Sequence, residues 1–173
     1  EILQLMSTLE SVDGRFQYVV SEKNITAIVD YAHTPDALKN VLETINSIRT
    51  GNEELITVVG CGGDRDTQKR PKMGGIAAKL STKVIFTNDN PRTENPTEIL
   101  APIEAGVSPE DYKKTVSIAE REQAIKTACQ FAKANDIILV AGKGHEHYQE
   151  IHGERFDFDD FKIVSELLKA LNK

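Results

Sequence analysis

Val84-Ile85-Phe86-Thr87-Asn88-Asp89-Asn90-Pro91-Arg92-Thr93-Glu94-Asn95-Pro96 decides the reading of the whole chain. Three apolar residues closed by Asn, Asp and Pro read as a buried strand that stops in a turn. In open α/β sheets ligands sit in the crevice outside the carboxyl ends of the strands, so Thr87 to Pro96 is expected as a loop at such an edge. Arg92, beside the rigid Asn-Pro step, suits a carboxylate or a phosphate, because the planar guanidinium donates two parallel hydrogen bonds. The same residues also fit an ordinary solvated turn.

Outward from this stretch, the same unit recurs. Leu55 to Val59 is a buried strand followed by the Gly-rich run Gly60-Cys61-Gly62-Gly63-Asp64-Arg65-Asp66, with a helix from near Pro71 to Leu80. Ile25 to Asp30 is a strand, hairpin-paired with Arg15 to Val20. Thr34 and Pro35 then cap and start a helix whose apolar face is Leu38, Val41, Leu42, Ile45 and Ile48. After Pro96 the pattern predicts a helix over 98–104, a short strand over 115–118 and a helix over 121–133. Asp136 to Ala141 has the continuous apolar character of a strand buried on both faces. A hairpin turning at His152-Gly153 and a closing helix over 159–171 complete the chain, and Ile2, Leu5, Met6 and Leu9 predict a short helix at its start. Alternation of strand and helix predicts an α/β domain, with a mostly parallel sheet of about six strands and helices on both faces.

Bulk properties exclude more than they assign. The 173 residues are enough for one well-buried domain, 1–173. The net charge of -6 argues against a general nucleic-acid binder, which needs a basic face. No apolar run approaches the roughly 20 residues of a membrane helix, and the start has no secretory pattern. No membrane association and a cytoplasmic location are therefore expected. Cys61 and Cys129 form no CxxC motif and read as reduced thiols. The opening Glu1-Ile2-Leu3-Gln4 lacks an initiator Met and reads as part of a longer protein.

If the four apolar strands are parallel, the loops after them meet at one edge. That brings Asp30, His33, Asp64, Arg65, Asp66, Asn90, Arg92, Lys143, His145 and Glu146 around one crevice. The glycines from Gly60 suit either a phosphate cradle or a tight turn, and neither a Walker A loop nor G-x-G-x-x-G is present. His145 and His147 with His33 or His152 do not complete a metal set, so no metal is assigned. An Arg for a carboxylate and a Glu for an ammonium together suit a zwitterionic amino-acid head group.

Four motifs in register, Asp30-Tyr31-Ala32-His33-Thr34-Pro35-Asp36, Gly60 to Asp66, Asp89-Asn90-Pro91-Arg92 and Gly142-Lys143-Gly144-His145-Glu146, resemble the carboxy-terminal domain of the Mur ligases. The resemblance is strongest to the branch that adds meso-diaminopimelate, and it covers essentially the whole chain. It implies a Rossmann-like three-layer domain that binds the amino acid. It also implies that Arg92 and Asn90, with Asp89 and Pro91 in their motif, take the distal carboxylate and amine end of diaminopimelate. Arg65 would be a second carboxylate ligand, and Gly142 and Glu146 would receive the distal ammonium. Asp30 and His33 would face nucleotide. Lysine has no distal carboxylate and would leave a buried guanidinium unpaired, so Arg92 implies diaminopimelate.

The implied reaction uses ATP and Mg2+ to join that amino acid to UDP-MurNAc-L-Ala-D-Glu during peptidoglycan synthesis, and so serves cell shape and division. The amino-terminal UDP-binding domain and the central ATPase domain, which would hold most of the ATP and Mg2+ contacts, have no counterpart in this sequence. The isolated chain is therefore expected to be an inactive monomer, with no catalytic residue assigned within it. The alternatives are a domain of another Mur or folylpolyglutamate-type ligase and a stand-alone module for a small anionic metabolite.

Overall fold

A computed structural model describes residues 13–173; the helix expected over Ile2 to Leu9 lies outside them. The strands are β1 (Gln17–Val20), β2 (Thr26–Asp30), β3 (Leu55–Cys61), β4 (Lys83–Asn88), β5 (Thr115–Ser117), β6 (Ile137–Ala141), β7 (Tyr148–Ile151) and β8 (Glu154–Asp157). The helices are α1 (Pro35–Ile48), α2 (Lys69–Leu80), α3 (Pro96–Glu104), α4 (Arg121–Phe131) and α5 (Asp160–Ala170).

Six strands form one sheet in the order β1-β2-β6-β3-β4-β5, in which only β1 runs antiparallel to its neighbour. Successive β-α-β connections carry the chain outward from β2 through β3 and β4 to β5. The return through α4 then inserts β6 between β2 and β3. Right-handed crossovers in opposite directions put α1, α2 and α3 on one face and α4 on the other, where the closing α5 packs beside it.

Period-two alternation divides the core accordingly. Ile28, Val59, Phe86 and Leu139 pack with α1 to α3, whereas Val29, Val58, Ile85 and Val140 pack with α4 and α5. The expected three-layer α/β fold is the one observed.

Capping chemistry sets the helix starts. Thr34 Oγ1 accepts from the Ala37 N–H ahead of Pro35, and Asn95 Oδ1 accepts from the Thr97 N–H ahead of Pro96. Several expected boundaries differ: β3 runs through Gly60 and Cys61, which had been assigned to the Gly-rich loop, α3 starts at Pro96 instead of Glu98, and α4 ends at Phe131 instead of Lys133. α2 begins at Lys69 instead of Pro71, and β4 extends through Thr87 and Asn88, which had been assigned to the loop. These two polar residues are buried in the strand because both side chains donate to the Ala119 carbonyl, at 3.4 and 2.9 Å. The loop proper starts at Asp89.

Candidate functional site

The carboxyl ends of β2, β3, β4 and β6 open into a crevice of about 540 Å³. Of the residues expected there, His33, Arg65, Asp66, Asp89, Asn90, Arg92, Gly142 and Glu146 line it. Tyr31, Lys69 and Tyr148 line it too, and sequence reading did not single them out.

Five other expected residues are placed differently. The Asp30 carboxylate turns back to accept the N–H groups of Phe16 and Ala32, both at 2.9 Å, as a strand-end cap would. Asp64 accepts from the Thr93 backbone and hydroxyl. His145 is exposed, with its ring centroid 5.0 Å from that of Tyr31. Lys143 is wholly buried beneath the crevice, and Pro91 is buried in the loop.

Arg92 sits at the rim. Its backbone is in the left-handed region (φ 52°), uncommon for a side-chain-bearing residue. Hydrogen bonds from the Arg92 N–H to Glu150 O (3.0 Å) and from the His152 N–H to Arg92 O (2.8 Å) hold it there. The β7–β8 hairpin is thereby joined to the loop. Nη1 of Arg92 donates to Gly63 O at 2.8 Å, and Nε lies 3.8 Å from the Glu150 carboxylate. Nη2 has no partner among the described residues, which leaves donor capacity for an incoming carboxylate. Arg65 is exposed and makes no hydrogen bond or ion pair among the described residues.

Beneath the crevice lies a charged floor. Arg121, the first residue of α4, is 1% exposed and spends all five N–H donors on protein oxygens. It pairs with both oxygens of Asp160 (2.9 and 2.7 Å) and with Asp89 Oδ1 (2.9 Å). The Asn88 and Ala141 carbonyls, at 3.2 and 3.1 Å, take the rest, so one side chain ties together the ends of β4 and β6 and the start of α5. Burial lowers the affinity of Arg121 for its proton, but the Asp160 and Asp89 carboxylates more than offset that, and its pKa is raised. Burial also raises the Asp89 pKa, against the pull of Arg121 and Lys143.

Lys143 Nζ donates to Asn90 Oδ1 at 3.0 Å and to Glu146 Oε2 at 3.1 Å. Asn90 Nδ2 donates to the same Glu146 oxygen at 3.0 Å. Gly142 has φ 120°, and a Cβ there would press on both Asp89 oxygens, at 2.7 and 2.8 Å. A glycine is therefore what lets the Asp89 carboxylate lie against this turn.

At the other end of the chain's path, Gly14 (φ 68°) packs so closely on Gly144 and His145 that a Cβ would overlap their backbone. Sequence reading took Arg121 only as the start of a helix and did not identify Asp160 as its partner. Arg70 was also missed; it is buried and holds the Gly62 carbonyl (3.1 Å) and Glu94 (2.9 Å), which anchors the Gly-rich loop.

Chemically, the crevice offers guanidinium donors on one side and the Glu146 and Asp89 carboxylates on the other. That polarity fits a ligand carrying both a carboxylate and an ammonium. Among the described residues no group of three or more His, Cys, Asp or Glu side chains is arranged to hold a metal ion, and no helix is long and apolar enough to cross a membrane.

Comparison with known proteins gives a consistent result. A family model described as "Mur ligase, glutamate ligase domain" matches residues 14–144. Over 173 residues the chain is 56% identical to the UDP-N-acetylmuramoyl-L-alanyl-D-glutamate--2,6-diaminopimelate ligase of Cytophaga hutchinsonii, covering 100% of this chain and 35% of that protein. The protein of the same name from Bacteroides thetaiotaomicron is 55% identical over 167 residues, which cover 96% of this chain and 35% of the relative. A solved structure of an enzyme of that name superposes with a TM-score of 0.85 at 42% identity, covering 98% of this chain and 34% of that one. The chain thus spans about a third of the length of the curated relatives it matches.

Proposed function

The chain belongs to the Mur ligase family, and on that premise we propose that its crevice is the amino-acid pocket of a longer ATP-dependent ligase that adds meso-diaminopimelate to UDP-MurNAc-L-Ala-D-Glu. The observation that carries this reading is the meeting of Arg92 and Arg65 with Glu146 and Asp89 around one crevice at the strand ends. Arg92 and Arg65 would bind carboxylates of the amino acid, and Asn90 would donate alongside them. Glu146, Asp89 and the backbone at Gly142 would receive an ammonium. His33 would face the nucleotide, and Asp30 would contribute by fixing the loop that carries His33.

ATP with Mg2+ supplies the activation of the D-glutamate side-chain carboxylate, a poor electrophile until it is activated. Both groups would be held mainly by the remainder of the ligase. The work of this domain is orientation. Holding the attacking amine at a fixed distance and angle can contribute several kcal/mol to the barrier reduction. In this reading residues 1–173 are a single domain of a monomeric cytoplasmic enzyme of peptidoglycan synthesis.

The test is amino-acid dependence in the full-length enzyme. Wild type should use meso-diaminopimelate in strong preference to L-lysine. Arg92→Ala should raise the KM for diaminopimelate roughly 10- to 100-fold, the loss expected for one or two charge-assisted hydrogen bonds. Equal use of both amino acids by wild type would sink the reading.

A further inference from the structure

Asn90 can present either end of its amide to a ligand, and which end it presents decides what the crevice recognises. Its Oδ1 is claimed by two donors of fixed chemistry, the Lys143 ammonium at 3.0 Å and the Glu150 backbone N–H at 2.9 Å. Neither group can accept a hydrogen bond, so the amide nitrogen must face Glu146 and the crevice. Lys143 is completely buried, donates to Glu146 as well, and lies 5.4 Å from the centroid of the Tyr148 ring. It cannot reach a ligand itself.

The formal charges under the crevice make Lys143 consequential. Two buried cations, Arg121 and Lys143, stand against Asp89, Glu146 and Asp160. Arg121 is already saturated by its own five acceptors. Without Lys143, three carboxylates would share one cation, and the crevice would disfavour a ligand that brings a further carboxylate more than one that brings only an ammonium.

We propose that Lys143 is a positioning residue that sets the specificity of the crevice: it locks Asn90 as a hydrogen-bond donor and balances Glu146, so that the site accepts a head group bearing both a carboxylate and an ammonium over one bearing an ammonium alone. This rests on the reading of the crevice as an amino-acid pocket, and it adds a determinant that never touches the ligand.

Two variants of the full-length enzyme test it. Lys143→Met keeps the length and removes donors and charge; Lys143→Gln removes the charge but keeps an N–H donor group on a side chain one atom shorter. Both should lower the preference for meso-diaminopimelate over L-lysine by about tenfold or more, the scale on which a buried charge partner discriminates. The change should lie in the KM for the amino acid, with the KM values for ATP and UDP-MurNAc-dipeptide unmoved.

Lys143→Gln should retain more thermal stability than Lys143→Met, and it decides the matter if the Met variant does not fold. Unchanged preference in the folded variants, or a loss spread equally over all three substrates, overturns the inference alone. A wild-type enzyme that takes no diaminopimelate overturns the amino-acid reading and this inference together.

Discussion

Arg121 is buried with a full set of partners, and its removal would leave Asp160, itself wholly buried, without a counter-charge. Breaking a buried pair from one side costs about 3 to 5 kcal/mol. Arg121→Met should lower the unfolding free energy by that amount in a denaturant titration; a loss below about 1 kcal/mol would show that Asp160 finds another partner.

Glu94 makes a smaller and pH-dependent contribution. Its hydrogen bond from Arg70, at 2.9 Å, holds its pKa below the ordinary 4.5. A depressed folded-state pKa stabilises the protein above the unfolded value, and that stabilisation is lost as pH falls through the folded value. Glu94→Gln should therefore be less stable than wild type at neutral pH, and the gap should close as pH drops below about 4.5; a gap constant with pH would refute the assignment.

At this scale the sequence showed the crevice residues but not the floor beneath them. Arg92 and Glu146 announce themselves as charges in strand-end loops. Arg121 and Asp160 look like ordinary first-turn helix residues, because their partners lie 32 and 39 positions away. Asp30 shows the converse: an acid at a strand end reads as a ligand group until its two backbone donors are seen.

Elements were legible wherever periodicity and caps agreed. Thr34-Pro35 marks a helix start through local chemistry, and Asp136 to Ala141 shows its two-sided burial by composition, whereas the Asn95-Pro96 cap was read as loop and its helix begins two residues earlier than expected. The end of β4 was not legible, since Thr87 and Asn88 are polar for a partner, Ala119, that only the fold supplies. α2 has almost no apolar periodicity to read. It carries Gly74 and Gly75 because the backbones of α2 and α3 approach closely: a Cβ on Gly74 would overlap the Ile103 carbonyl. Gly74→Ala should cost about 2 kcal/mol or more, despite the better helix propensity of alanine, because overpacking outweighs roughly 1 kcal/mol of propensity. Thermal unfolding checks it, and a raised Tm would show that α2 can move away.

For the whole molecule, the alternation of strand and helix predicted the layers, whereas the insertion of β6 between β2 and β3 is a tertiary fact with no local signature. That insertion brings Gly142 to Glu146 beside Asp89 to Arg92, and so creates the crevice. Residues 1–173 expressed alone should bind meso-diaminopimelate weakly, near millimolar or worse, and should form no product from ATP and UDP-MurNAc-dipeptide. Calorimetric titration and a product assay check this, and tripeptide formation by the isolated chain would contradict it.

The close packing of Gly14 on Gly144 and His145 has a mechanical consequence. The polypeptide enters β1 by way of the very loop that carries Glu146, and Asp30 clasps the same entry at Phe16. Torque applied to the chain ahead of β1 would be felt first at the ammonium-receiving side of the crevice. The guanidinium side would feel it next, because Asn90 Nδ2 donates to Glu146 Oε2 at 3.0 Å and so couples the two sides of the crevice.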